Sequence, residues 1–299
     1  MLSDVQRYLA EGFDQVEGWC GSNLFTVIEA LYAEQPRDGA LGPIAEIGVY
    51  QGKFFTGLSG VAAPGATRLA IDVFDMQWLN VDKAGMGDQA RFEANVRAWG
   101  AEPDRLEVLR ADSLSVTISE ARDLAQSHGK FAFFSVDGCH TLTHTLHDFV
   151  IAQEVTANNG VIFIDDYNNP NWPEVQEAIS RAFFSGAPRF VPFIFMENKL
   201  FMCSAGYHDR YIKACFHHIK TYEPSWRMKR VYRFGWECLN FMGPPGSGQL
   251  HLLGEEARGF AAEGDSDPGA QDLLAAQADA MVAEESAYED RVAQDIGHA

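Results

Sequence analysis

The sequence has few cysteines, few basic residues and no long apolar run. Its five cysteines are scattered over 299 residues without a CxxC pair, which argues against a disulfide framework and against a structural zinc site. No apolar run reaches membrane-spanning length, and the N-terminal stretch lacks a basic segment followed by an apolar block. We therefore expect a cytoplasmic protein that neither enters a membrane nor is secreted.

Basic residues are outnumbered, with 23 Lys and Arg against 42 Asp and Glu, a net charge of -19. Such a charge repels a phosphate backbone, so no nucleic-acid partner is expected. Residues 251–299 hold twelve Asp and Glu and two Arg, and thus -10 of the total. This segment is interpreted as an acidic tail, either flexible or helical around 270–293.

Short apolar runs alternate with amphipathic stretches from Ile44 onward, which predicts βαβ units and a parallel sheet. Strands are predicted at 43–49, 68–73, 105–110, 131–136, 159–164, 190–195 and 199–204. Helices are predicted at 52–62, 88–99, 117–128, 141–156 and 172–184. Only three residues separate the last two strands, so they must be antiparallel. The expected fold is an α/β, Rossmann-like, seven-stranded sheet, mainly parallel with one antiparallel strand and flanked by helices.

Four segments are expected along the chain. The boundaries follow from changes in composition and from the "GPPGSG" stretch at 243–248. They are an N-terminal helical cap (1–40), the α/β core (41–206), an aromatic and basic extension (207–245) and the acidic tail (246–299).

The stretch "EIGVYQGKFF" falls where the first strand passes into the first helix. Gly48 and Gly52, on either side of Tyr50, let the backbone turn tightly and approach a ligand. Glu46 replaces the first glycine of a GxGxxG fingerprint and suits a ligand with an ammonium or sulfonium centre rather than a diphosphate. The alternative is an ordinary strand-to-helix turn with a solvated Glu.

Two further positions fit a nucleoside ligand. Asp72 ends the second predicted strand, where an acid commonly accepts hydrogen bonds from ribose hydroxyls, although Asp also favours strand ends for local reasons. Asp112 and Ser113 follow the third strand and either contact an adenine amino group or cap the next helix.

Acidic residues follow the fourth and fifth strands. Asp137 ends one strand, and Asp165 with Asp166 ends the next in "VIFIDDY", so the three carboxylates are expected at one rim of the sheet. Carboxylates packed together need a cation, and an oxygen-only site favours Mg²⁺, with Mn²⁺ or Ca²⁺ as substitutes. Alternatively, these acids belong to solvated turns or cap a helix.

His140 lies three residues after Asp137 and is the candidate general base, because an unperturbed histidine titrates near neutral pH. His144 and His147 share helical spacing with it, so a histidine-rich zinc site is a competing hypothesis. We favour the three acids as metal ligands and His140 as the base.

These motifs resemble class I S-adenosylmethionine-dependent methyltransferases. The closest likeness is to Mg-dependent sugar O-methyltransferases of the macrocin and mycinamicin type and their cephalosporin-hydroxylase-like relatives. "EIGVYQGKFF", "VDGCH", "FIDDYNNPNWPEV" and "NKLFM" carry the resemblance, which covers about residues 40–205. It implies S-adenosylmethionine as methyl donor, Asp137, Asp165 and Asp166 as metal ligands and His140 as the base. Some members have Asp as the base where this chain has Cys139.

The resemblance implies an enzyme that methylates a hydroxyl of a small molecule. A sugar or glycoside diol is the first expected acceptor, and a catechol-type phenol is the second. A nicotinamide-dependent oxidoreductase and a non-catalytic nucleotide-binding protein remain competing classes. A homo-oligomer is possible, and the sequence does not identify the acceptor.

Overall fold

The computed structural model describes residues 3–39, 41–186 and 188–242, so the expected acidic tail lies outside the described residues. The strands form one sheet: Ile44–Ile47 (β1), Arg68–Asp72 (β2), Leu106–Arg110 (β3), Phe131–Val136 (β4), Thr156–Ile164 (β5), Phe190–Met196 (β6), Lys199–Ser204 (β7), Met228–Arg233 (β8) and Trp236–Phe241 (β9). The α-helices are Ser3–Arg7 (α1), Leu24–Glu34 (α2), Lys53–Ser59 (α3), Gln89–Trp99 (α4), Ile118–His128 (α5), Leu142–Val155 (α6), Pro173–Ser185 (α7) and His208–Tyr222 (α8).

The sheet has the order β3-β2-β1-β4-β5-β7-β6-β9-β8. Strands β1 to β5 are mutually parallel, and β7 enters antiparallel between β5 and β6. The predicted α/β class and the mainly parallel sheet are confirmed. The predicted count of seven strands is wrong, because β9 pairs with β6 and β8 pairs antiparallel with β9.

The two additional strands come from the segment that the sequence marked only as an aromatic and basic extension. They form a hairpin whose two-residue turn is Phe234-Gly235, both at positive φ (53° and 82°). Positive φ at both central residues gives a turn whose twist matches that of paired strands. Because a phenylalanine stands where Asn or Asp usually signals such a turn, the hairpin was not predicted.

Helices cover both faces of the sheet. The first face packs under α2, α3, α4 and α8, with Phe55, Phe92 and Phe216 in its core. The second packs under α5, α6 and α7 around Phe149. Strand β4 is buried along its whole length, as expected for a parallel strand covered on both sides. None of the described helices is long and apolar enough to cross a membrane.

The N-terminal segment reaches the rim formed by the carboxyl ends of the parallel strands. After α1 the chain passes through short π and 3₁₀ turns, and residues 16–23 then lead into α2. Glu17 accepts hydrogen bonds from the Tyr50 hydroxyl (2.6 Å) and from the Gln51 amide (3.0 Å). The backbone N–H of Gly21 donates to Glu197, in the turn between β6 and β7 (3.0 Å). This segment therefore lies across one side of the rim.

Candidate active site

The loop after β1 passes very close to the end of β4. Gly48 has φ +81°, and a Cβ atom placed there would lie 1.8 Å from the carbonyl oxygen of Asp137. Gly52 has φ +87° and packs against the ring of Phe92. Only glycine fits the first position, because both the left-handed backbone and the close approach exclude a side chain. The two glycines thus let the loop pack closely against the end of β4 and against Phe92, and a contact of this loop with a ligand stays a prediction.

Asp72 holds this loop in place. Its carboxylate accepts hydrogen bonds from the backbone N–H groups of Val49 (2.9 Å), Tyr50 (3.0 Å) and Phe74 (2.6 Å). Burial raises the pKa of Asp72 against the effect of these hydrogen bonds. Sequence reasoning assigned Asp72 to a ribose; in this structure it ties the end of β2 to the loop after β1.

Tyr50 forms a wall beside the loop. It has φ +50°, its ring stacks on Trp19 with centroids 5.0 Å apart, and its hydroxyl donates to Glu17. A left-handed backbone at a non-glycine residue is uncommon and needs such surrounding contacts.

Glu46 is buried in the middle of β1 and forms the floor of the site. Neither of its carboxylate oxygens accepts a hydrogen bond of normal geometry from the described residues, although the Ser135 hydroxyl is close enough to oppose the rise in its pKa. Burial raises the pKa of Glu46 to about 8, although the nearby Lys199 opposes this. An unsatisfied buried carboxylate is costly, so this position fits a ligand that brings a positive group or a hydrogen-bond donor. The solvated alternative is excluded.

Asp112 and Ser113 face α6 rather than the open rim. Asp112 accepts a hydrogen bond from the backbone N–H of Leu114 (3.0 Å), as a helix cap does, and lies 3.4 Å from His144 Nε2. The Ser113 hydroxyl donates to the buried Asp148 (3.0 Å). The capping alternative therefore describes Asp112 in this structure, and an adenine contact stays a prediction.

The buried acids at the ends of β4 and β5 do have a cation beside them, and it is Lys199. Its ammonium contacts Asp165 Oδ2 and lies 3.5 Å from Asp137 Oδ2. Burial opposes ionisation of both acids. The pKa of Asp137 is raised by burial and by the neighbouring Asp165, whereas Lys199 holds the pKa of Asp165 below its ordinary value.

Asp166 points toward His140 instead of toward Lys199. Its Oδ2 lies 2.8 Å from His140 Nε2, and its Oδ1 accepts hydrogen bonds from the side-chain amides of Asn169 and Asn198 (2.8 Å each). Single ligand atoms of Asp137, His140 and Asp166 lie within 4.8 Å of one another. The structure thus brings together all the predicted metal and catalytic residues, but it groups His140 with two of the acids, while Asp165 binds Lys199.

His140 is held between two carboxylates. Asp82 Oδ2 lies 2.7 Å from His140 Nδ1 and also accepts the backbone N–H of His140. The imidazole stacks on Trp172, with centroids 4.4 Å apart and an interplanar angle of 13°. Burial disfavours a charged ring, but Asp166 and Asp82 outweigh it and raise the pKa of His140 to about 9.

Cys139, His144 and His147, the other candidates for a base or a zinc ligand, make local contacts in this structure. Burial raises the pKa of the Cys139 thiol, and its sulfur lies 3.9 Å from the Thr141 hydroxyl. His144 Nδ1 lies 2.7 Å from the Thr141 hydroxyl, and His147 Nδ1 lies 3.1 Å from Asp148. In the described part of the chain neither histidine joins the candidate metal cluster.

Sequence reasoning missed two residues of the site, Lys199 and Asp82. Lys199 opens an otherwise apolar strand, "KLFMCS", and a single lysine there was the available signal. Asp82 lies on the long loop between β2 and α4, and nothing in its local sequence relates it to His140.

Comparison with known protein families identifies the class. Residues 45–167 match the model of a family described as a methyltransferase domain, which spans β1 to the residues just after β5. This match supports the predicted resemblance to class I S-adenosylmethionine-dependent methyltransferases, and the prediction of a methyl-transferring enzyme is confirmed. A comparison with curated protein sequences gives no match.

Solved structures similar to this chain include three methyltransferases. The TDP-rhamnose 3'-O-methyltransferase of calicheamicin biosynthesis shares 15% identity, covers 67% of this chain and 91% of its own, and has a TM-score of 0.43. The O-methyltransferase NovP shares 15% identity, covers 61% of this chain and 79% of its own, and has a TM-score of 0.46. MycE methyltransferase from the mycinamycin biosynthetic pathway, in complex with Mg and SAH, shares 15% identity with this chain. The match covers 68% of this chain and 55% of MycE, with a TM-score of 0.46.

Proposed function

We propose that this protein transfers the methyl group of S-adenosylmethionine to a hydroxyl of a small molecule, with Mg²⁺ as the metal. A vicinal diol of a sugar or glycoside is the preferred acceptor, and a catechol-type phenol is the second candidate. The observation that supports this proposal is the cluster of Asp137, Asp165, Asp166 and His140 beside the loop after β1.

The residues at the rim fit the methyl donor. The buried carboxylate of Glu46 would bind the positively charged end of the donor, and the loop that holds Gly48 and Gly52 would lie beside it. Asp72, at the end of β2, would also meet a ribose from the loop side, and Asp112 and Ser113, which face α6 in this structure, would contact the adenine.

The acids fit a hard divalent cation, because carboxylate oxygens are its preferred ligands. Asp137, Asp165 and Asp166 would hold Mg²⁺, and the bound ion would lower the pKa of an acceptor hydroxyl. Mn²⁺ would tolerate the nearby His140 nitrogen better than Mg²⁺ does.

His140 would remove the hydroxyl proton. Asp82 accepts the Nδ1 proton and Asp166 accepts the Nε2 proton, and these two carboxylates raise the pKa of His140 to about 9. Nε2 would become the basic nitrogen once a bound cation takes up the charge of Asp166. Trp172 fixes the plane of the ring from one face. Asp82 and Trp172 therefore set the direction of the base.

The first experiment is a calorimetric titration of S-adenosylhomocysteine into chelator-treated protein, followed by Mg²⁺ into the complex. We expect both to bind, and Asp166→Asn to lose only the metal step. Binding of S-adenosylhomocysteine without a metal step would instead favour a metal-independent methyltransferase or a non-catalytic binding protein. Absence of donor binding would overturn the proposal. A screen of glycosides and catechols then separates the two acceptor classes.

Asp82→Asn tests the role of His140. We expect kcat to fall about 10- to 100-fold, because the tautomer and the ring position are no longer fixed. The loss of an anion also lowers the pKa of His140, so the rising limb of the pH profile of kcat moves to lower pH.

The measurement is kcat over about pH 5 to 10. Asp88→Asn is the control, since Asp88 lies on the same loop and only caps α4. A profile of Asp82→Asn that keeps its position on the pH axis would contradict this role.

A further inference from the structure

Lys199 is an unusual residue for its place in the sheet. It is the first residue of β7, and its side chain is only 2% exposed. A lysine is almost never buried unless it is paired, because a bare ammonium loses its hydration there. The reason for this lysine must therefore lie in its contacts.

The contacts of Lys199 are with two acids and one aromatic ring. The ammonium contacts Asp165 Oδ2, lies 3.5 Å from Asp137 Oδ2 and lies 4.5 Å from the centre of the Phe54 ring. These two salt bridges place the Lys199 ammonium next to the acidic site.

The ammonium touches only one oxygen of each acid. Both contacts use the Oδ2 atoms, and Asp165 Oδ1 accepts the backbone N–H of Asp166 (2.9 Å). Asp166 itself has no contact with Lys199 in the described structure and turns to His140. The Oδ2 atoms of Asp137 and Asp165 therefore face the Lys199 ammonium, whereas Asp166 faces the other side of the site, where His140 lies.

We propose that Lys199 is a positioning residue that serves as the resident counter-cation of the acidic site and leaves the remaining carboxylate oxygens to a divalent ion. This inference rests on the proposed function, since it concerns the same acids. It assigns to Lys199 two effects that a merely structural lysine would lack. The metal-free site stays folded because of Lys199, and the affinity for Mg²⁺ is limited by its charge.

Both effects have the same physical origin. Two buried carboxylates without a cation are strongly unfavourable, so removal of the ammonium destabilises the metal-free protein. The same removal takes a positive charge away from the metal site, which strengthens the attraction for a second cation. Mg²⁺ then supplies the charge that Lys199 supplied, and stability becomes dependent on the metal.

Lys199→Met tests this with full-length protein. With chelator, we expect Tm to fall by about 10 °C relative to wild type. With saturating Mg²⁺, the rise in Tm should be clearly larger for the variant than for wild type. Calorimetry should show Mg²⁺ binding at least about tenfold more tightly. Lys53→Met is the matched control, because its ammonium also lies over a phenylalanine ring (4.4 Å, Phe13) but forms no salt bridge among the described residues.

A double variant covers the case in which Lys199→Met fails to fold. Lys199→Met/Asp165→Asn removes the uncompensated charge together with the lysine, so it should be more stable without metal than the single variant. A double variant that is no more stable than the single one would overturn the inference, because the loss would then come from packing.

The remaining outcomes separate the inference from the proposed function. Equal Mg²⁺-dependent shifts in wild type and Lys199→Met, or weaker Mg²⁺ binding by the variant, would overturn the role of Lys199 while the metal site itself stands. Binding of Mg²⁺ by neither protein would reject the metal in the proposed function and, with it, the sharing of the acids.

Discussion

Asp166→Asn is expected to lower kcat/KM about 1000-fold and to weaken Mg²⁺ binding strongly in calorimetry, because the ligand oxygen loses its negative charge. The proposed metal and base meet at this side chain, through Oδ2 beside His140. Loss of metal-based charge stabilisation costs several kcal/mol of activation free energy, and about 4 kcal/mol corresponds to a 1000-fold change.

The substitution to Asn is chosen because of the backbone. Asp166 has φ +54°, and Asn is among the few residues that tolerate this left-handed conformation. An amide oxygen also still accepts the hydrogen bonds from Asn169 and Asn198. Tm should therefore change little.

A matched control is Asp75→Asn. Asp75 also follows a strand of the sheet, but it is exposed and its carboxylate lies 3.1 Å from Arg110. Activity of this control should stay within about twofold of wild type, as exposed ion pairs contribute little. Substantial Mg²⁺-stimulated activity in Asp166→Asn would show that the charge of Asp166 is not required, and retained activity in Asp166→Ala as well would reject residue 166 as a ligand.

Gly48→Ala is expected to lose donor binding by more than about 100-fold and to destabilise the fold by several kcal/mol. The added Cβ would lie 1.8 Å from the Asp137 carbonyl oxygen and 2.8 Å from Gly138 Cα. Both are backbone atoms of the neighbouring loop and cannot turn away as a side chain can. The loop after β1 must separate from the end of β4, which opens the proposed donor site. Calorimetry with S-adenosylhomocysteine and thermal unfolding measure the two effects.

Gly65→Ala separates the clash from the backbone penalty. Gly65 has a similar φ of +75°, but no atom lies within 4 Å of a Cβ placed there. Gly65→Ala should lower the free energy of unfolding by only about 1 to 2 kcal/mol, the cost of a left-handed backbone at alanine. It should bind the donor as wild type does. Equal effects of the two substitutions would show that the close approach to Asp137 is unimportant.

The strands and helices between 43 and 204 were predictable because each has a local signal. Apolar runs such as "FAFFSV" mark buried strands, and capping residues mark helix starts, for example Thr117 with Glu120 at α5. The common location of the acids and glycines that follow the strands was also predictable, because parallel strands bring their carboxyl ends to one edge of the sheet.

The partners of those residues were not predictable. Lys199 meets Asp165 only because β7 is antiparallel and therefore begins at the rim where β5 ends. Asp82 meets His140 across 58 positions of sequence through an irregular loop. For Asp72 and Asp112 the sequence left ligand contact and local bonding both open, and the structure shows the local hydrogen bonds.

The position of β7 between β5 and β6 also has a consequence for the order in which the chain assembles. β6 precedes β7 in sequence but lies outside it in the sheet, so β6 has no native partner until residues 199–204 have been synthesised. The two strands are joined by the two-residue turn Glu197-Asn198 and form the quickest contact available to them. When this hairpin packs beside β5, Asn198 reaches Asp166 and Lys199 reaches Asp165 at the same time. A single hairpin thus supplies both the cation for Asp165 and the amide donor for Asp166.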